Sequence, residues 1–88
     1  MNTQEIHKKI IAFLIKENKI SEEDVLNINI NTDFIECGII DSIGVLELLV
    51  FIEEEFILDL QKISITTKNM KSLSSISDFI LSNKNDKQ

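Results

Sequence analysis

Apolar residues recur at the period of an α-helix in three stretches of this chain, and between the first two that period is lost. The central stretch, residues 42–56, places Val45, Leu48, Leu49, Ile52 and Phe56 within a stripe about 100° wide, the span of a core-facing side. Ile43, Leu46 and Val50 gather nearly opposite, with Glu47, Glu53 and Glu54 interleaved. A monomer has no use for a second apolar stripe, and apolar residues rimmed by one sign of charge suggest a docking surface for basic partners. The same period also fits a helix buried on both sides in a small bundle.

Residues 3–17 predict a first helix, capped by Asn2 or Thr3, with Ile6, Ile10, Ile11, Phe13, Leu14 and Ile15 sweeping a broad apolar face. His7 lies within that sweep and, as the only histidine, reads as a satisfied core or boundary residue. Near the other end Ser72 caps a last helix whose Leu73, Ile76, Phe79 and Ile80 share one side. Just before it, Thr66 or Thr67 can cap a very short helix that turns Met70 inward.

From residue 18 to 40 the pattern changes. Ser21-Glu22-Glu23-Asp24 can cap one turn of helix, and then Leu26, Ile28 and Ile30 alternate with Asn27, Asn29 and Asn31, which is a strand signal. Its only partner would be residues 60–65, where Ile63 and Ile65 alternate, and a two-stranded ribbon is marginal in water. The stretch therefore reads as a long loop pinned by its apolar side chains, with Phe34 and Ile35 plugging into the core. The organisation expected is one domain over residues 1–82 and a flexible polar tail over 83–88.

Composition narrows this further. The chain has 88 residues, enough for one modest core, and the absence of Pro and Trp with only two Gly favours helices over a turn-rich β fold. No leader-like segment opens the chain and no apolar run reaches membrane-spanning length, so the expected location is the cytoplasm, without membrane association. Cys37, the single cysteine, excludes an internal disulfide and a multi-thiol metal site, and its expected place is as a small buried filler.

Charge is uneven. Residues 17–59 hold twelve acids against Lys19 alone, a balance of −11 within a total of −6. Such a region repels nucleic acid and anionic membrane and steers basic surfaces toward it. Gly38 permits the tight backbone that ends the loop, Asp41 can cap the central helix, and Ser42 takes its first position. Catalysis has little support: Ser42 has no base or oxyanion site that the sequence identifies, and Glu53, Glu54 and Glu55 point in three directions, so no metal site is expected. A phosphate ester on Ser42 would gain from the helix dipole and nearby amides while Asp41 would oppose it, so the serine is better suited to being modified than to attacking.

Gly38-Ile39-Ile40-Asp41-Ser42-Ile43, followed by Leu48 and Glu53-Glu54-Glu55-Phe56, resembles the phosphopantetheine attachment motif of acyl carrier proteins and related peptidyl carriers. Thr32-Asp33-Phe34 is similar to the family's turn before the motif, Asn69-Met70 to its short third helix, and residues 72–80 to its last helix, so the likeness covers about residues 3–82. It implies an all-α four-helix bundle, three longer helices and a short third one. It also implies a 4′-phosphopantetheine arm on Ser42 Oγ, transferred from coenzyme A by a phosphopantetheinyl transferase with Mg²⁺. An acyl group, as in fatty-acid biosynthesis or a specialised acyl pathway, would ride on that arm as a thioester, which makes the chain a phosphoprotein and a monomeric, non-catalytic carrier. Asp41 matches the motif residue that serves as cap and recognition contact. Ile43, Leu46, Glu47, Val50 and Glu54 match positions touched by partners: the transferase, and a loading ligase, transacylase or synthase with a basic docking surface. Ile43 stands where Leu is usual, and Gly44 where fatty-acid carriers place an acid or polar residue. An aminoacyl or peptidyl carrier, D-alanyl included, is the alternative, and an unmodified helical adaptor the lesser one.

Overall fold

Asn2 opens α1 (Thr3–Lys16) because its side chain accepts the Glu5 amide at 2.9 Å while the Glu5 carboxylate takes the Asn2 N–H at 3.2 Å. This reciprocal box satisfies donors that a helix start leaves free. The helix stops where Asn18 turns left-handed (φ 61°) and the Lys19 amide reaches back to the Leu14 carbonyl at 2.8 Å. The computed structural model describes residues 2–62 and 65–84. It holds two further α-helices, α2 (Ser42–Phe56) and α3 (Leu73–Asn83), the last capped by Ser72, whose hydroxyl accepts the Ser75 amide at 3.1 Å. Three 3-10 turns, Glu23–Asn27, Leu60–Lys62 and Thr67–Met70, lie between them.

The chain is thus all-helical over the described residues, with three α-helices. The segment expected as a short third helix closes as a single 3-10 turn, with Asn69 Oδ1 accepting the Thr66 amide at 2.8 Å. Four residues are too few for a stable α-helical segment of their own. No strand occurs among the described residues. The Glu23–Asn27 turn absorbs Leu26 into a helical geometry, closed at its start by mutual hydrogen bonds of Ser21 and Asp24. Ile63, half of the other alternating pair, lies outside the described residues.

Ile6, Ile10 and Leu14 from α1, Leu48, Ile52 and Phe56 from α2, and Ile76 and Ile80 from α3 close on Phe34 and Met70 to form the core. Val45 and Leu49, expected on the buried stripe, are only half-buried at its edges. Phe13 stacks on Phe51 with ring centroids 4.6 Å apart, which fastens α1 to α2. His7, half-buried, meets Ser77 across α1 and α3 at 3.3 Å, and Ser77 in turn donates to the Ser74 carbonyl. No helix among the described residues is long and apolar enough to cross a membrane.

The long connection from α1 to α2 is stapled by backbone hydrogen bonds to the residues around the start of α3. Phe34 donates its amide to the Lys71 carbonyl at 2.7 Å, and Ser74 donates to the Ile30 carbonyl at 2.9 Å. With those staples in place Ile20, Phe34 and Ile40 are buried, whereas Leu26 stands 88 % exposed and Ile35 and Cys37 also face solvent. Neither the core role expected for Ile35 nor the filler role expected for Cys37 is realised. The turn is wound so that Phe34 alone of residues 33–37 is buried, and the chain meets the core again only at Ile40.

At its far end α2 stops at Ile57, a left-handed residue (φ 56°) that is 80 % exposed. The Lys84 ammonium caps the same end by donating to the Phe56 carbonyl at 2.8 Å. Asn83, the first residue of the expected tail, closes α3 by bonding the Phe79 carbonyl, and residues 85–88 lie outside the described part.

Candidate functional site

Asp33 starts the site. Its carboxylate accepts the amides of Ile35 and Glu36 at 3.0 and 2.9 Å, winding residues 33–37 into a tight turn, and Cys37 and Gly38 donate back to Asp33 and Ile35. Gly38 leaves that turn with φ +84°, a conformation L side chains rarely adopt, and open space lies where its Cβ would be. The chain then runs inward, and Ile40 donates its amide to the Phe34 carbonyl at 3.0 Å while its side chain is buried.

Asp41 follows in an extended conformation and acts as the N-cap of α2. Its Oδ1 accepts the Gly44 amide at 2.8 Å and its carbonyl accepts the Val45 amide at 2.9 Å. Ser42 is the first helical residue and is exposed, at the positive end of a 15-residue helix. A phosphodiester needs an accessible oxygen and nearby partial positive charge, and this place supplies both; the residues present fit a phosphate-linked group on Ser42 Oγ.

Three apolar side chains continue from there along the outer side of α2: Ile43, Leu46 and Val50, at 66, 63 and 54 % exposed. Beside them Glu54 is exposed, and Glu47 pairs with Lys19 at 3.2 Å, a contact that the sequence does not announce because Lys19 belongs to the irregular connection. Between α1 and α2 runs an open groove of about 630 Å³ with Ala12, Phe13, Val50 and Phe51 on its floor. Lys9 bridges it to Glu55 at 2.7 Å, and that hydrogen bond holds the Lys9 ammonium above its ordinary pKa. Among the described residues no three His, Cys, Asp or Glu side chains converge as a metal site would require.

Gly44 is the residue whose part is invisible in the pattern. It is buried, and a Cβ built on it would lie 2.9 Å from Ile40 Cγ2 and 3.3 Å from Asp41 Oδ1. The only signal for this in the sequence is a bulky β-branched residue standing directly before a capped helix that carries glycine in its first turn.

A family model described as a phosphopantetheine attachment site matches residues 8–80, a span that takes in α2 whole and reaches from α1 into α3. No curated protein and no solved structure matches the chain.

Proposed function

Because this chain belongs to the phosphopantetheine attachment site family, we propose that it is an acyl carrier whose arm is borne by Ser42. The family is the site of covalent 4′-phosphopantetheine attachment, and its carrier domains are in general non-catalytic. When attached, the group supplies a terminal thiol on which an acyl chain is held as a thioester. The observation that carries the choice of Ser42 is its position, exposed at the first residue of α2 directly after a capping aspartate. Asp41 holds the first turn in place through the Gly44 amide, Ser42 Oγ loses its proton to the transferase and attacks the coenzyme A phosphorus that bears the pantetheine, the pyrophosphate P–O bond breaking and 3′,5′-ADP leaving, and Ile43, Leu46, Glu47, Val50 and Glu54 form the face that partners with basic surfaces recognise.

The test is the intact mass of the chain before and after incubation with coenzyme A, Mg²⁺ and a broad-specificity phosphopantetheinyl transferase. A gain of one phosphopantetheine in the wild type and none in Ser42→Ala is expected. A gain that persists in Ser42→Ala would move the attachment elsewhere. A folded wild type that stays unmodified with several transferases, and whose Ser42→Ala variant still functions in cells, would replace the carrier by an adaptor.

An aminoacyl cargo is the second reading, with which Gly44, two residues after the attachment serine and without the acid or polar residue of fatty-acid carriers, is compatible. Parallel loading of the modified chain with fatty-acyl and amino-acid ligases separates the two, since each ligase charges only the thiol whose carrier it docks on.

A further inference from the structure

On the inner side of α2's first turn a Cβ on Gly44 would force its neighbours to move. The space that a Cβ of Gly44 would need is held by Ile40 Cγ2 at 2.9 Å, closer than real Cβ atoms come, and by Asp41 Oδ1 at 3.3 Å. Neither neighbour can retreat cheaply. The Ile40 methyl sits directly on a branched Cβ, the side chain is buried in the core, and its amide is tied to Phe34. Asp41 Oδ1 is the atom that accepts the Gly44 amide. A larger residue would therefore have to displace the buried Ile40 side chain and shift the Asp41 cap that precedes Ser42.

We propose that Gly44 and Ile40 form a lock that sets the position of Asp41 and Ser42, making Gly44 a positioning residue for modification of the serine. The inference rests on Ser42 being the attachment point. The glycine is there to let Ile40 seat under the first turn, and its lack of charge is a by-product of that packing. Displacing a reacting oxygen by a fraction of an ångström slows its reaction without weakening the docking of distant surface residues.

The experiment compares wild type, Gly44→Ala, Ile40→Leu and the double variant as substrates of one transferase, with circular dichroism to establish folding. Leucine has no Cγ2, so Ile40→Leu removes the obstructing methyl at nearly constant volume. Gly44→Ala should lower kcat for modification roughly ten- to a hundredfold with KM for the carrier unchanged. The double variant should return to within about threefold of Ile40→Leu alone, because residues in contact are coupled. Amide NMR shifts of residues 41–43 should move in Gly44→Ala and return in the double variant. A Gly44→Ala chain that fails to fold while the double variant folds and is modified supports the same lock. The proposal is overturned if Gly44→Ala keeps the wild-type kcat, if only KM changes, or if Ile40→Leu fails to restore what Gly44→Ala loses. Loss of modification in the wild type itself would count against the carrier reading instead, and the two failures are told apart in the first lane.

Discussion

Asp41 and Ile57 bracket α2, and the chain treats the two ends oppositely. Asp41 supplies an oxygen to the Gly44 amide, so Asp41→Ala should destabilise the domain by about 1 kcal/mol, with Asp41→Asn costing less because it keeps an acceptor. Urea unfolding of the three chains measures both. Ile57 does the reverse: a β-branched residue sits in the left-handed region with most of its surface in water, gaining little from burial. Left-handed geometry costs an L residue about 1–2 kcal/mol, and the greater unfolded-state freedom of glycine returns part of that. Ile57→Gly should thus stabilise by about 0.5–1 kcal/mol, seen as a melting temperature a few degrees higher.

α2 carries the core on one side and the exposed stripe on the other, so truncations on the two sides should part company. Leu48→Ala or Ile52→Ala should cost about 2–5 kcal/mol through the cavity left behind, while Leu46→Ala changes unfolding little, as denaturant curves will show. At this level the sequence is most legible, because a helix of fifteen residues repeats its period often enough to fix which side is buried. The outward Ile43, Leu46 and Val50 follow from that period, and Asp41 as cap with Ser42 as first helical residue follow from the capping chemistry of an aspartate directly before it. Leu49 does not, since a residue at the stripe's edge is assigned by which neighbour happens to lie over it. In the connection local pattern fails for a different reason. Whether Leu26, Ile35 or Cys37 faces in depends on bonds from Ile30 and Phe34 to Ser74 and Lys71, some forty residues away, and no short window contains both partners. Gly44 escaped for the same reason in miniature: its meaning lies in Ile40, which the helical period does not cover.

Over the whole molecule the acids of residues 17–59 act together, and what they set is encounter more than stability. Glu47→Lys combined with Glu54→Lys should slow modification by a transferase roughly tenfold at low salt, with the difference shrinking as salt is added and the melting temperature nearly unchanged. Glu54→Lys alone should account for more than half of the effect, because Lys19 already offsets part of the charge on Glu47. Stopped-flow or discontinuous mass measurements across a salt series decide it; equal rates at low salt would remove that face from the encounter.

The staples from Phe34 to Lys71 and from Ser74 to Ile30 also carry a consequence for the order of events at the ribosome. Ser42 leaves the exit tunnel well before the residues that hold its turn do. Until Lys71 and Ser74 have emerged, the turn that holds Phe34 and, through it, Ile40 has only its local hydrogen bonds, without the staples from Phe34 and Ile30 to the segment before and at the start of α3, and the serine is present in the chain without being fully presented. A stalled nascent chain carried on a linker that brings only residues 1–60 out of the tunnel would therefore be a poor substrate for modification, and one exposed past α3 a good one, so the date at which the arm is added is written in the last quarter of the sequence.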